Sequence, residues 1–150
     1  MIPGECSIMG TMRWFDVEEG KKAVEKVKSI IEHTAALYGC TVEYKTGHGR
    51  IGIPVINDRK CAEIAEKGIS EIVPAGTVTE SGRWFASESM SMYLNRYPGV
   101  FAFLGINNPE KGSGAPHHNE YFDIDEAVLV LGVKASVKYV FSYLASKQRV

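Results

Sequence analysis

A chain of 150 residues, 45% of them hydrophobic, is long enough to bury one ordinary core or two small lobes. Its 17 basic and 18 acidic side chains leave a formal net charge of −1, which argues against a nucleic-acid surface or a polybasic membrane patch. No apolar run approaches the roughly 20 residues of a membrane span. The start, Met1 to Cys6, lacks a basic stretch followed by an apolar core, so no signal peptide is expected. Cys6, Cys40 and Cys61 are odd in number and widely spaced, which predicts reduced, mostly buried thiols and a cytoplasmic setting.

Cys6 to Phe15 alternate loosely, with Cys6, Ile8, Met12 and Trp14 on one side, and predict a strand. Asp16 followed by Glu19 predicts the start of a helix. Val24, Val27, Ile31, Ala35 and Tyr38 give that helix one apolar face, Gly20 weakens its first turn, and Gly39 stops it. Cys40 to Thr46 alternates again and predicts a second strand. The Gly-rich run Gly47 to Pro54 predicts a hinge, placing domains at residues 1–50 and 51–150.

Asn57 or Asp58 starts the second helix, whose buried face is Cys61, Ile64, Ala65, Gly68, Ile69 and Ile72. Cys61 has no histidine at helical spacing and reads as core, not as a nucleophile. Ser87 is the expected cap of a third helix with a packing stripe of Met90, Tyr93, Leu94 and Tyr97. Val100 to Ile106, bounded by Pro98-Gly99 and Asn107-Asn108-Pro109, predicts a buried strand. Asp123 or Asp125 caps the last helix, which is apolar on most of its circumference and needs cover on more than one side. One stripe is Val128, Leu131, Ala135, Tyr139 and Tyr143; the other is Val130, Val133, Val137, Val140 and Leu144.

The loop from Asn107 to Glu126 leaves that strand and enters that helix, which is where α/β proteins usually place their chemistry. His117 and His118 sit on it beside Gly114-Ala115-Pro116. On spacing alone they are two solvated loop histidines or a candidate metal ligand or acid/base. Asn108 to Gly114 lacks the residue order of a phosphate loop.

Several runs together resemble one family. They are Pro98 to Gly105, Asn108-Pro109-Glu110-Lys111-Gly112, Gly114-Ala115-Pro116 with His118-Asn119, and Tyr121 to Glu126. They are similar to the metal-dependent amidohydrolases that include N-acyl-amino-acid, hippurate and auxin-conjugate hydrolases, relatives of the zinc carboxypeptidases. Upstream, Ile2 to Glu5, Gly10 to Asp16 and Gly39 to Tyr44 are similar to the second half of that family's lid domain. The resemblance implies an α/β chain: part of a lid β-α-β unit, then the C-terminal elements of a zinc-peptidase-like catalytic domain.

In the family pattern a histidine in a Pro-x-His-Ser/Asn-x-x-Phe-Asp frame ligates one of two bridged metal ions, and that frame lands on His118. The implied metal is zinc or manganese, and the implied substrate is an N-acyl amino acid or a peptide. Glu88 falls where the family carries Gly-Ser-Glu-Asp-Phe beside the active site, although here the frame is Ala86-Ser87-Glu88-Ser89-Met90 and the neighbouring carboxylate is gone. Arg13 projects from the lid strand and is the candidate grip on a substrate carboxylate, with a surface ion pair as the plainer reading.

The family's other ligands, its general-base glutamate and its lid histidine belong to segments with no counterpart here. His33 lies in the first helix, His48 in the hinge, and Glu18-Glu19 in a capping turn. A hydrolytic zinc takes about three protein ligands and a water, and the reaction needs a carboxylate to accept the water's proton. No catalytic residue is assigned. The expectation is a portion of an amidohydrolase that holds no metal tightly and is inactive alone. The alternatives are a non-catalytic dimerisation or regulatory module, or one half of a split enzyme. An uncovered sheet edge and apolar helix face predict self-association or a partner chain.

Overall fold

The computed structural model describes residues 3–45 and 52–148. Its regular elements are α1 (Val17–Leu37), α2 (Arg59–Ser70), the four-residue α3 (Ser91–Leu94) and α4 (Ala127–Lys147), with a 3-10 turn at Pro109–Lys111. The chain forms two compact units, Met1–Ile56 with Arg83–Asn95, and Asn57–Gly82 with Arg96–Val150. The hinge expected at Gly47 to Pro54, and the domain boundary drawn in it, lie mostly outside the described residues.

In the first unit, α1 begins where the Asp16 carboxylate accepts the Glu19 N–H at 2.9 Å, as the Asp16 signal predicts. The Glu19 carboxylate pairs with Lys22 at 2.7 Å. Gly39, at φ +67°, ends the helix. The Cys40 N–H reaches the Ala35 carbonyl and the Gly39 N–H reaches the Ala36 carbonyl, the two bonds of a Schellman motif. Gly20 is the one buried residue of α1, because the Trp14 indole lies on it and would overlap a Cβ built there. Tyr44 returns along the helix and donates to the Lys28 carbonyl at 3.2 Å. The Phe15 and Phe85 rings meet at 4.4 Å, and the Arg83 guanidinium sits 5.5 Å from the Phe15 ring centre. The expected Ser87 cap gives way to a later start. α3 opens after Met90 with no side-chain cap, because Ser87 to Ser89 stay non-helical.

In the second unit, Asp58 caps α2 by accepting the Cys61 N–H at 2.8 Å, and that bond holds its carboxyl below the usual range. Helices α2 and α4 pack together. The buried face of α2 is Cys61, Ala65 and Gly68, three small side chains of the predicted stripe that allow a close approach. A Cβ at Gly68 would meet Ser142 Oγ at 2.5 Å. Lys138 Nζ closes an ion pair with Glu71 at 2.6 Å across the two helices. Cys61 is the buried thiol; Cys6 and Cys40 are exposed, which corrects the expectation of mostly buried cysteines.

The two apolar stripes of α4 separate cleanly. Val128, Leu131, Ala135, Tyr139 and Tyr143 are half-buried, whereas Val130, Val133, Val137, Val140 and Leu144 are exposed. Mean hydropathy of 1.5 over 18 residues makes this 21-residue helix long and apolar enough to cross a membrane by length and composition. That corrects the expectation that no such run exists. It packs on α2 and pairs Lys138 with Glu71, which half-buries one face, and none of its residues is fully buried.

The expected strands are also corrected. Among the described residues no strand forms at 6–15, 40–45 or 100–106, and the lid β-α-β unit is not present as paired strands. A strand exists only when a neighbour supplies the ladder of hydrogen bonds, and among the described residues these three segments do not pair with one another. Segment 100–106 is instead held at its ends. Gly99 accepts from the Asp58 N–H at 2.9 Å, and Ile106 accepts from the Asp125 N–H at 3.1 Å. Between them the Asn57 side chain bonds both the N–H and the carbonyl of Phe101, the service an adjacent strand would provide.

Candidate functional site

Everything at the end of segment 100–106 converges on Ile106. Its carbonyl accepts from the Asp125 N–H at 3.1 Å and from the Ser113 hydroxyl at 3.2 Å, so the loop that leaves at Asn107 returns to its own base. Ser113, 3% exposed, also accepts the Asn108 N–H at 2.7 Å. Pro109 suits the start of the 3-10 turn, and Gly112, at φ +80°, ends it. Gly114 takes φ +140°, and a Cβ there would press on Asn107 Oδ1 at 2.5 Å. A shallow, open hollow of about 370 Å³ runs along Asn107, Pro109 and Gly112 to Ala115.

Asp125 ties the loop shut. Its carboxylate, 9% exposed as a residue, accepts from Lys111 Nζ at 2.7 Å, Asn108 Nδ2 at 2.7 Å and the Ala127 N–H at 3.1 Å. The bonds from Lys111 and then Asn108 hold its carboxyl down at about 2. It also answers the Ala127 N–H, but the cap position of α4 is Glu126, which makes no side-chain bond, so the expected Asp123 or Asp125 cap lies one residue or more too early. The links to Lys111 and Asn108, 14 and 17 residues away, had no local signal.

The loop presents both histidines to solvent. The His117 ring stacks on Phe122 at 5.1 Å. His118 adopts φ +63°, the one positive value outside glycine among the described residues. The left-handed region costs an L-residue about 1 kcal/mol or more, and such strain persists where the surrounding structure enforces it. A tight turn follows, with the Tyr121 N–H on Asn119 Oδ1 at 2.9 Å and the Phe122 N–H on the Asn119 carbonyl at 3.0 Å.

The other candidates are in the first unit. Glu88 is exposed one turn before α3, and its carbonyl accepts the Ser91 N–H. Arg13 is exposed and donates to Thr11 Oγ1 at 3.1 Å. It makes no ion pair among the described residues, so the plainer reading given to it is not what the structure shows. Metal fit can be tested on the donors themselves. Among the described residues, no three or more His, Cys, Asp or Glu side chains cluster to hold a metal ion. The described residues do not compose a closed or hydrolytic metal site, which takes three or four protein ligands.

The sequence profile of Peptidase family M20/M25/M40 matches residues 6–142. The chain belongs to this family. Membership in M20/M25/M40 points to an α/β peptidase-like fold, of which the described residues carry the helices. The chain is 31% identical over 135 residues to Thermostable carboxypeptidase 2 of Saccharolobus solfataricus, covering 90% of this chain and 33% of that protein. It is 24% identical over 146 residues to IAA-amino acid hydrolase ILR1-like 4 of Arabidopsis thaliana, covering 96% and 33%. It is 26% identical over 140 residues to N-acetyldiaminopimelate deacetylase of Lacticaseibacillus casei, covering 93% and 35%. The chain therefore spans about a third of the length of the curated relatives it matches. No solved structure is significantly similar to it. The family resemblance drawn from Pro98 to Glu126 holds.

Proposed function

We propose that this M20/M25/M40 chain supplies the His118 loop of a metal-dependent amidohydrolase or peptidase site and does not hydrolyse amides by itself. The observation that carries this is the donor count. His118 is strained into a left-handed conformation on a loop tied at its base, yet no cluster of three metal-binding side chains accompanies it among the described residues. One imidazole cannot hold a zinc or manganese ion tightly or bring a bound water near neutrality. The family pattern makes Glu88 a candidate supporting carboxylate, and Arg13 remains the candidate grip on a substrate carboxylate. The substrate class proposed is an N-acyl amino acid or a peptide, by analogy with the activities for which the relatives are named.

The same reading takes segments 6–15 and 40–45 as lid strands that need pairing partners. It also includes association. The stripe Val130, Val133, Val137, Val140 and Leu144 is exposed, and contiguous exposed apolar surface marks association sites, so a second copy or a partner chain is expected on it. Light scattering on the purified protein checks this; a monomer at micromolar concentration removes it. Activity is checked by incubating the chain with zinc or manganese and an acetylated or benzoylated amino acid. The expected result is no release above the metal-only control, and turnover abolished by His118→Ala would overturn the proposal.

A further inference from the structure

The chemistry of the loop depends on where its histidine is held, and the exposed His118 ring makes no hydrogen bond among the described residues. The bonds that fix the loop lie at its base. Asp125 is reached by three donors from three places: Lys111 Nζ at the end of the 3-10 turn, Asn108 Nδ2 at the start of the loop, and the Ala127 N–H in α4. The Asp125 N–H closes on the Ile106 carbonyl. Ser113, almost fully buried, bonds Ile106 and Asn108 from inside the same ring of contacts. Residues 107–125 thus form a loop whose two ends are joined through one carboxylate, and His118 lies on the part between Ser113 and Asp125.

We propose that Asp125 is the positioning residue of the His118 loop, joining Lys111 and Asn108 to the start of α4 so that His118 is presented in one conformation. The assignment of His118 as a metal-facing group rests on the function proposed above; the clamp itself does not. Two roles of Asp125 must be separated, since it also answers the Ala127 N–H at the start of α4. That role needs only the one bond. A clamp needs Lys111 and Asn108 as well, and it has a high stake in both, because charge-assisted bonds of this length are about twice as strong as neutral ones.

The test uses the full chain and solution NMR. The double variant Asn108→Ala/Lys111→Met keeps the Asp125 bond to Ala127 but removes both clamp donors. It is expected to lower the ¹H–¹⁵N heteronuclear NOE of residues 114–122 from the level of the helices to that of free loops. The single His118 ring signal set should split or broaden, while α4 amides and the His33 ring stay where they are. Asp125→Ala should do the same and also loosen the first turn of α4. Asp125→Asn, which keeps an oxygen toward Lys111 and Ala127 but loses the charge that strengthens the clamp, should hold the loop less firmly than the wild type and more firmly than Asp125→Ala. If the double variant is poorly folded, Lys111→Met alone carries the comparison. Unchanged His118 signals and NOE values in the folded double or single variant would overturn the proposal and leave Asp125 serving α4 alone. A zinc chloride titration on the wild-type chain reads the other question. If His118 ring signals fail to shift, the metal reading falls while the clamp comparison stands.

Discussion

Asn57 and Phe101 form a two-bond ring, with Asn57 Nδ2 on the Phe101 carbonyl at 2.9 Å and Asn57 Oδ1 on the Phe101 N–H at 2.8 Å. One side chain thereby stands in for a strand neighbour and anchors the segment that ends at the His118 loop. A typical hydrogen bond contributes about 0.5–1.5 kcal/mol net, less where water can replace it. Asn57→Ala is therefore expected to lower stability by about 1–2 kcal/mol, and Asn57→Asp, which sets a carboxylate oxygen against the Phe101 carbonyl, by at least as much. Urea unfolding followed by circular dichroism measures both.

Gly20→Ala sets two effects against each other. Helix propensity alone would favour alanine by about 1 kcal/mol. The Trp14 indole occupies the space a Cβ needs, and overpacking of this kind costs about 1–3 kcal/mol. The variant should have a lower Tm, and Trp14 fluorescence, read in a Trp84→Phe background, should shift to the red. A raised Tm with unchanged emission would show that the indole is free to move aside.

His118 carries backbone strain that its ring does not offset through any bond within the loop. His118→Gly removes the left-handed penalty and should stabilise the chain by up to about 1 kcal/mol, whereas His118→Val should destabilise it. Thermal unfolding of the two variants checks the pair. A stability loss in the glycine variant would mean that the imidazole packs structurally.

The acid limb of stability should report on Asp125. Its carboxyl is held down at about 2, from an ordinary value of 3.8, by Lys111, Asn108 and the Ala127 amide. A carboxyl lowered in the folded state favours folding fully above its unfolded pKa, and that contribution is lost as pH falls from about 4 toward 2. Asp58 and Glu71 are lowered as well, by the Cys61 N–H and by Lys138, and act in the same direction. Tm measured from pH 5 to pH 2 should fall less steeply in Asp125→Asn than in the wild type.

The helices were legible because their signals are local. Asp16, Asp58 and Gly39 each act on groups within five residues, and the 3.6-residue period of α4 separates a covered from an uncovered stripe. The lack of pairing at 6–15, 40–45 and 100–106 was not legible in the same sense. Alternation fixes an extended backbone and its two faces, but the neighbour that makes it a strand is not written in the segment. Gly20 was read as a weakness because propensity sees only the helix, and Trp14 lies outside it. At the loop, the Pro-x-His-Asn-x-x-Phe-Asp frame singled out His118, and the structure added its left-handed backbone. The clamp was invisible, since nothing in Asn108-Pro109-Glu110-Lys111 announces a carboxylate 14 residues further on.

Metal content tests the central claim most directly. The purified chain, loaded with excess zinc and then dialysed against metal-free buffer, is analysed by atomic emission. One imidazole without companion ligands predicts far less than one zinc per chain, and the same value for His118→Ala. Zinc retained at one or two per chain, and lost in His118→Ala, would contradict the account.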